Sequence, residues 1–197
     1  MKTRVMVQSL VLAALVFSLA AGATAGPDAP QTIPIGAALS LTGRLSNLGN
    51  QCKAGYELAV EEINRGGGVF VKEYGKKIPL ELVVQDSESD QRKVVSMMEW
   101  LYSSKKVIAY VGEGLMVNGQ GVAEKNKVAA VAIAQPHQSP HERGLKYWFA
   151  ACPKASDMGR NICDVLDTVP PQERPKTIAI FQEQTEAGVE NAEAYRK

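Results

Sequence analysis

Three groups of residues have the types and spacing that chemistry requires. Asp86, Glu88 and Asp90 cluster within one short stretch, and neighbouring carboxylates serve as general acid and base or hold a cation. They follow an apolar run, and a helical pattern begins at Gln91. Asp90 therefore reads as a helix N-cap and the other two as solvated loop acids. His137 and His141 stand one helical turn apart with Glu142 beside them. On a helix that spacing would offer two imidazoles to a metal, but Pro136 and Pro140 predict loop histidines instead. The glycines of Gly112-Glu113-Gly114, with Gly119 and Gly121, invite a dinucleotide reading. That fingerprint needs glycine where Val117 stands, and an acid further on where the chain has Ala-Ile-Ala-Gln-Pro. No G-x-S-x-G elbow and no P-loop occur. A hydrolase would thus lack a recognisable nucleophile and base, and no enzyme activity is expected.

The elements that must position these residues alternate. Thr32–Leu39, Pro79–Gln85, Val107–Val111, Val128–Ala134, Tyr147–Ala151 and Thr177–Phe181 read as strands. Asn47–Arg65, Asp90–Ser103, Asn118–Asn126, Ser156–Val169 and Thr185–Tyr195 read as helices from their apolar spacing, and Val69–Ile78 as a short hairpin or loop. On the first helix Cys52, Tyr56, Leu58/Ala59 and Ile63 form the apolar face. Trp100 and Tyr102 on the second helix, and most of Tyr147-Trp148-Phe149, read as packing residues. The strands are continuous apolar runs, not alternating ones. The expected fold class is therefore α/β, a three-layer parallel sheet flanked by helices.

The first 25 residues have the form of a signal peptide: Lys2 and Arg4, an apolar run over Val5–Ala21, and small residues at Ala23-Thr24-Ala25. No cysteine follows that would carry a lipid, so a free periplasmic or secreted protein is expected. Residues 26–31, with Pro27 and Pro30, form a linker. Removing Lys2 and Arg4 leaves 20 basic residues against 21 acidic ones. That balance argues against a nucleic-acid or anionic-membrane surface, which needs a clustered basic excess. Cys52, Cys152 and Cys163 show no metal-type spacing, and the reading favours no disulfide, with Cys163 a buried thiol on an apolar helix face.

One stretch narrows the function. Ile33–Gly43 (IPIGAALSLTG) runs into a loop containing Leu48-Gly49, then GYELAVEEIN, Gly66-Gly67-Gly68-Val69, and ELVVQDSESDQRKVV. A strand that feeds a small-residue turn and a helix N-terminus is where open α/β sheets bind ligands. In that order these pieces resemble the Leu/Ile/Val-binding type of solute receptor that serves ABC importers. The resemblance covers essentially everything after the linker. It implies the first lobe of a two-lobe periplasmic binding protein: residues 32–153 as a partial lobe one and residues 154–197 as the start of lobe two. A chain holding one strand and two helices of a lobe cannot close an independent three-layer core, so a fragment is expected.

The same resemblance implies the site. Such receptors hold an amino acid by its charged ends, with backbone amides and Ser/Thr hydroxyls on the carboxylate and an acid on the ammonium. At matching positions this chain departs. Met116, in the turn with Gly114, stands where a carboxylate-binding serine is usual, and Gln138 stands in place of a threonine, between His137 and the retained hydroxyl of Ser139. Ala155 replaces the ammonium-binding Asp, with Ser156 and Asp157 following; Leu48 replaces an aromatic residue and Ala187 a tyrosine. An unpaired ammonium in a closed cleft is costly. The reading therefore leans to an apolar carboxylate, such as an aromatic acid, or an amide, contacted by His137, Gln138 and Ser139. A free branched-chain amino acid stays open, with Asp157 as its partner if the register slips. The expected partners are a small-molecule solute and the membrane permease subunits of an ABC importer, with no cofactor and no oligomer. A ligand-sensing module of the same fold is the alternative.

Overall fold

In the computed structural model, residues 29–133 and 137–196 are described. The expected signal peptide lies outside them.

Five strands form one parallel sheet: β1 (Ile33–Leu39), β4 (Leu80–Asp86), β5 (Ala109–Gly112), β6 (Ala129–Ala132) and β7 (Trp148–Ala150), in the order β4-β1-β5-β6-β7. Between β1 and β4 the chain forms helix α1 (Ser46–Arg65) and a hairpin of β2 (Val69–Val71) and β3 (Lys76–Ile78). Helix α2 (Gln91–Lys105) leads to β5, and a 3₁₀ turn (Gly114–Gly119) continues as α3 (Gln120–Asn126) before β6. A single turn of helix, α4 (Ser139–Glu142), precedes β7, and α5 (Ala155–Thr168) and α6 (Glu186–Arg196) follow it. The order places the topological switch between β1 and β5, whose register pairs Ile35 with Ala109 and Ala38 with Gly112.

Alternate strand residues face opposite sides. One side puts Ala38, Tyr110, Ala130, Ala132 and Trp148 under α2 and α3, which contribute Val94, Met98, Leu101, Val122 and Ala123. Each such large side chain, once buried, stabilises the fold by about 1.5–3 kcal/mol. The other side puts Ala37, Leu39 and Val111 against Cys52, Leu48 and Tyr56 of α1. Helix α1 reaches that close because Gly49 has no side chain; a Cβ there would run into the Ser40 carbonyl oxygen.

Several local expectations are corrected. Leu58 on α1 is 59% exposed, because the helix packs on the sheet along Leu48, Gly49, Cys52 and Tyr56 instead. Trp100 and Tyr102 are 41% and 39% exposed, since α2 buries its Val94/Met98/Leu101 stripe instead; Lys105 lies over the Trp100 ring at 5.4 Å. Of Tyr147-Trp148-Phe149 only Trp148 is buried, and Phe149 is 53% exposed beside its register partner Val131, on the α1 side of the sheet but beyond the strands that α1 covers. Thr177–Phe181 pairs with no strand among the described residues, and Phe181 is 97% exposed. A strand gains its hydrogen bonds only from a neighbour, and no described strand lies alongside it. Cys163 is exposed, not buried. Ser139–Glu142 is helical despite Pro140, which occupies the first turn, where its missing N–H costs nothing.

Candidate functional site

Ligands of open α/β sheets bind outside the carboxyl ends of the strands, and here that edge has two regions. At the switch point the loops leaving β1, β4 and β5 are bonded into one rim. Asp86 at the end of β4 accepts from Leu41 N–H at 2.9 Å, Thr42 N–H at 3.2 Å, the Thr42 hydroxyl at 2.8 Å and Glu88 N–H at 2.8 Å. Burial pushes its carboxyl up, but these donors outweigh that and hold it below the ordinary carboxylate range. Ser89 Oγ accepts from Leu45 N–H at 3.0 Å and donates to the Thr42 carbonyl at 2.7 Å. These bonds hold Glu88 and Ser89 in left-handed backbone conformations, with φ 53° and 59°. Beneath them Ser40, Ser87 and Glu113 are fully buried and connected. Tyr56 Oη donates to the Gly112 carbonyl at 2.9 Å, and burial, then the Cys52 and Glu113 charges, push its phenol well up. The same burial, followed by Glu113, raises the Cys52 thiol.

The second region is open. An indentation of about 630 Å³ lies between the 138–142 segment, α5 and α6. That volume suits a small organic molecule. Gln138, Ser139, Ser156, Arg160, Glu190 and Glu193 line it, with Cys163 at its margin. Gln138 is its central member. Its side-chain oxygen accepts from the Ser156 hydroxyl at 2.9 Å and its amide NH₂ donates to Glu142 at 3.0 Å, while its backbone N–H donates to Glu190 Oε2 at 2.7 Å. His137 is 8% exposed, and its Nδ1 lies 3.5 Å from the same Glu190 oxygen without a hydrogen bond. The arrangement offers hydroxyl, amide, carboxylate and guanidinium groups to a guest.

Of the residues singled out from sequence, Gln138, Ser139 and Ser156 line this crevice and His137 lies directly behind it. Leu48 and Met116 do not. Leu48 packs on the Ala37/Leu39/Cys52 cluster, and Met116 is fully buried in the larger core, where side-chain-free Gly112 leaves room for its sulfur. Gly114 opens the 3₁₀ turn at the switch point, away from the crevice lining. Asp157 sits in the first turn of α5, where Lys154 N–H approaches it at 3.4 Å. Sequence reasoning missed Glu190, Glu193 and Arg160. Their one sequence signal was helical spacing, Glu190 and Glu193 being three apart on α6, and that spacing does not say which face meets another element. It also missed Glu113, whose signal was a lone acid within the apolar run from Tyr110 to Val117.

Comparisons with known proteins agree with this architecture. The family model described as periplasmic binding protein matches residues 32–197. Leu/Ile/Val-binding protein homolog 3 of Brucella melitensis is 28% identical over 187 residues, covering 92% of this chain and 48% of that protein. A leucine binding protein from Thermotoga maritima superposes with a TM-score of 0.67 at 18% identity, covering 84% of this chain and 45% of that one. A solute binding protein of an ABC transporter from Rhodopseudomonas palustris, solved with 3,4-dihydroxy benzoic acid, gives 0.65 at 16% identity, covering 85% of this chain and 43% of that one. The two structural likenesses speak for the fold. The chain spans about half the length of the curated relative it matches.

Proposed function

This chain belongs to the periplasmic binding protein family, and we propose on that basis that it captures a small organic solute outside the cytoplasm and delivers it to the permease subunits of an ABC importer. It does no covalent chemistry, and it acts as a monomer. Residues 32–153 form one wall of the solute site, and residues 154–197 begin the opposing wall. The observation that carries this reading is the Gln138–Ser156 hydrogen bond at the mouth of the crevice. It joins the end of the sheet to the first helix beyond it, so a guest there touches both walls. A ligand that contacts both sides of a hinge drives closure by its differential affinity for the closed form.

The crevice chemistry sharpens the choice of solute. The acid absent at Ala155 is offset by Glu142, Glu190 and Glu193, against one cation, Arg160, among the described lining residues. With Leu48 and Met116 in the core, the apolar lining expected of an aromatic-acid pocket is reduced. The lining favours a solute that brings N–H donors, an amide or a branched-chain amino acid, over a bare carboxylate. Calorimetric titration with L-leucine, a short amide and benzoate tests this. Gln138→Ala and Ser156→Ala are expected to weaken the productive solute by tenfold or more while shifting Tm little, since both side chains are only partly buried. Unchanged affinity in both variants would remove the crevice from the account. Tight binding of benzoate alone would restore the apolar-acid reading.

A further inference from the structure

We propose that Glu113 is a positioning residue: it clamps the loops leaving β1, β4 and β5 into one rigid rim, so that the sheet edge beside the solute crevice is already ordered before binding. The inference rests on the solute-binding reading above. Glu113 is fully buried and touches no solvent, so it acts through its neighbours. Its Oε1 accepts from the Ser40 hydroxyl at 2.8 Å and its Oε2 from Leu115 N–H at 2.9 Å. Ser40 has one hydroxyl proton and gives it to Glu113, so the 3.1 Å contact between Ser40 and Ser87 requires Ser87 as donor. The result is a directed chain, Ser87 to Ser40 to Glu113, whose other oxygen accepts from Leu115 N–H at the start of the Gly114–Gly119 turn. Ser87 is anchored in turn by its N–H on the Leu39 carbonyl at 2.7 Å. Among the described ion pairs none includes Glu113. A carboxylate buried without a counter-ion is costly, and a hydrocarbon side chain would fill the space without that cost. No hydrocarbon could hold Ser40 and Leu115 N–H at once. A rim ordered beforehand spares binding in the neighbouring crevice the cost of ordering it.

The test uses Glu113→Gln, which keeps the size but has one accepting oxygen instead of two, Ser40→Ala, which removes the donor, and the double variant. Amide hydrogen exchange without solute is read over residues 40–45, 87–90 and 113–119, against strands β1 and β5 as an internal standard. We expect at least tenfold faster exchange in the loops of both single variants, unchanged strands, and a double variant no worse than the poorer single one, the mark of one shared interaction. Titration with L-leucine and with acetamide is expected to show a dissociation constant at least tenfold weaker for whichever the wild type binds. Unchanged loop exchange overturns the proposal, as does a uniform rise that includes the strands, since that is a plain stability role. Looser loops with unaltered affinity also overturn it. The exchange arm needs no solute: wild-type protein that binds neither probe counts against the solute-binding reading, while loop exchange still decides whether Glu113 clamps the rim.

Discussion

At the scale of single residues, the most instructive position is Met116. The family resemblance put it where a carboxylate-binding serine is usual, but its side chain turns inward and fills space above Gly112. Met116→Ala is expected to cost about 2–5 kcal/mol in chemical denaturation, the range for emptying a packed core site. Met116→Ser is expected to cost as much, without creating a solute contact. Equal stability of the wild type and Met116→Ala would show that the residue is not packed as described. Tyr110 carries a second residue-scale prediction. It is fully buried, and its hydroxyl donates to the Met98 carbonyl at 3.0 Å. Burial, followed by the nearby Glu99 and Tyr102 charges and opposed by a hydrogen bond with Asn126, leaves the phenol pushed up to about 12. A neutral phenol favoured by the fold contributes stability fully below the unfolded value of about 10, and that contribution is lost as pH rises toward the folded value. Tyr110→Phe is expected to lose about 1 kcal/mol near neutrality and to show a flatter fall in stability between these two pH values. An alkaline limb identical to that of the wild type would contradict the assignment.

At the scale of elements, the parallel strands and α2 were legible because their signals are local. Asp90 was legible as a cap from its side-chain type before an apolar helical pattern, and its carboxylate accepts Arg92 N–H at 2.8 Å. Asp90→Ala is expected to lower Tm, with Asp90→Ser retaining most of the wild-type value; a fall shared equally by both variants would assign the loss to something other than the cap. Thr177–Phe181 was not legible as unpaired. Its apolar run has strand character, but pairing is a property of neighbours that no local pattern records. The helical turn at Ser139–Glu142 was missed because proline was weighed as a breaker, and its acceptability in the first turn depends on where the helix starts. The crevice was half legible. Gln138, Ser139 and Ser156 were reached through the family resemblance at matching positions, whereas Glu190 and Arg160 reach the crevice only through the packing of α5 on α6. Glu113 stayed hidden because its partners, Ser40 and Leu115, meet it through sheet order and a tight turn.

At the scale of the whole molecule, the sheet has a covered side and a partly open one. The helices α2 and α3 close the first, while Val131 and Phe149 remain exposed on the second. Ile162, Val165, Ile178 and Phe181 add exposed apolar surface on and after α5. Among the described residues no helix is long and apolar enough to cross a membrane. Against that background the switch-point rim is bonded shut, and the crevice beside it, where the proposed solute would sit, is open. The most direct test of this account is a thermal-shift panel on the purified protein, with leucine, isoleucine, valine, aromatic carboxylates, short amides and urea. Binding to the native state raises Tm in proportion to the logarithm of solute concentration above the dissociation constant. Such a rise is expected with an amide or a branched-chain amino acid, and its loss is expected in Gln138→Ala. A cooperative melt that no member of the panel moves would contradict it.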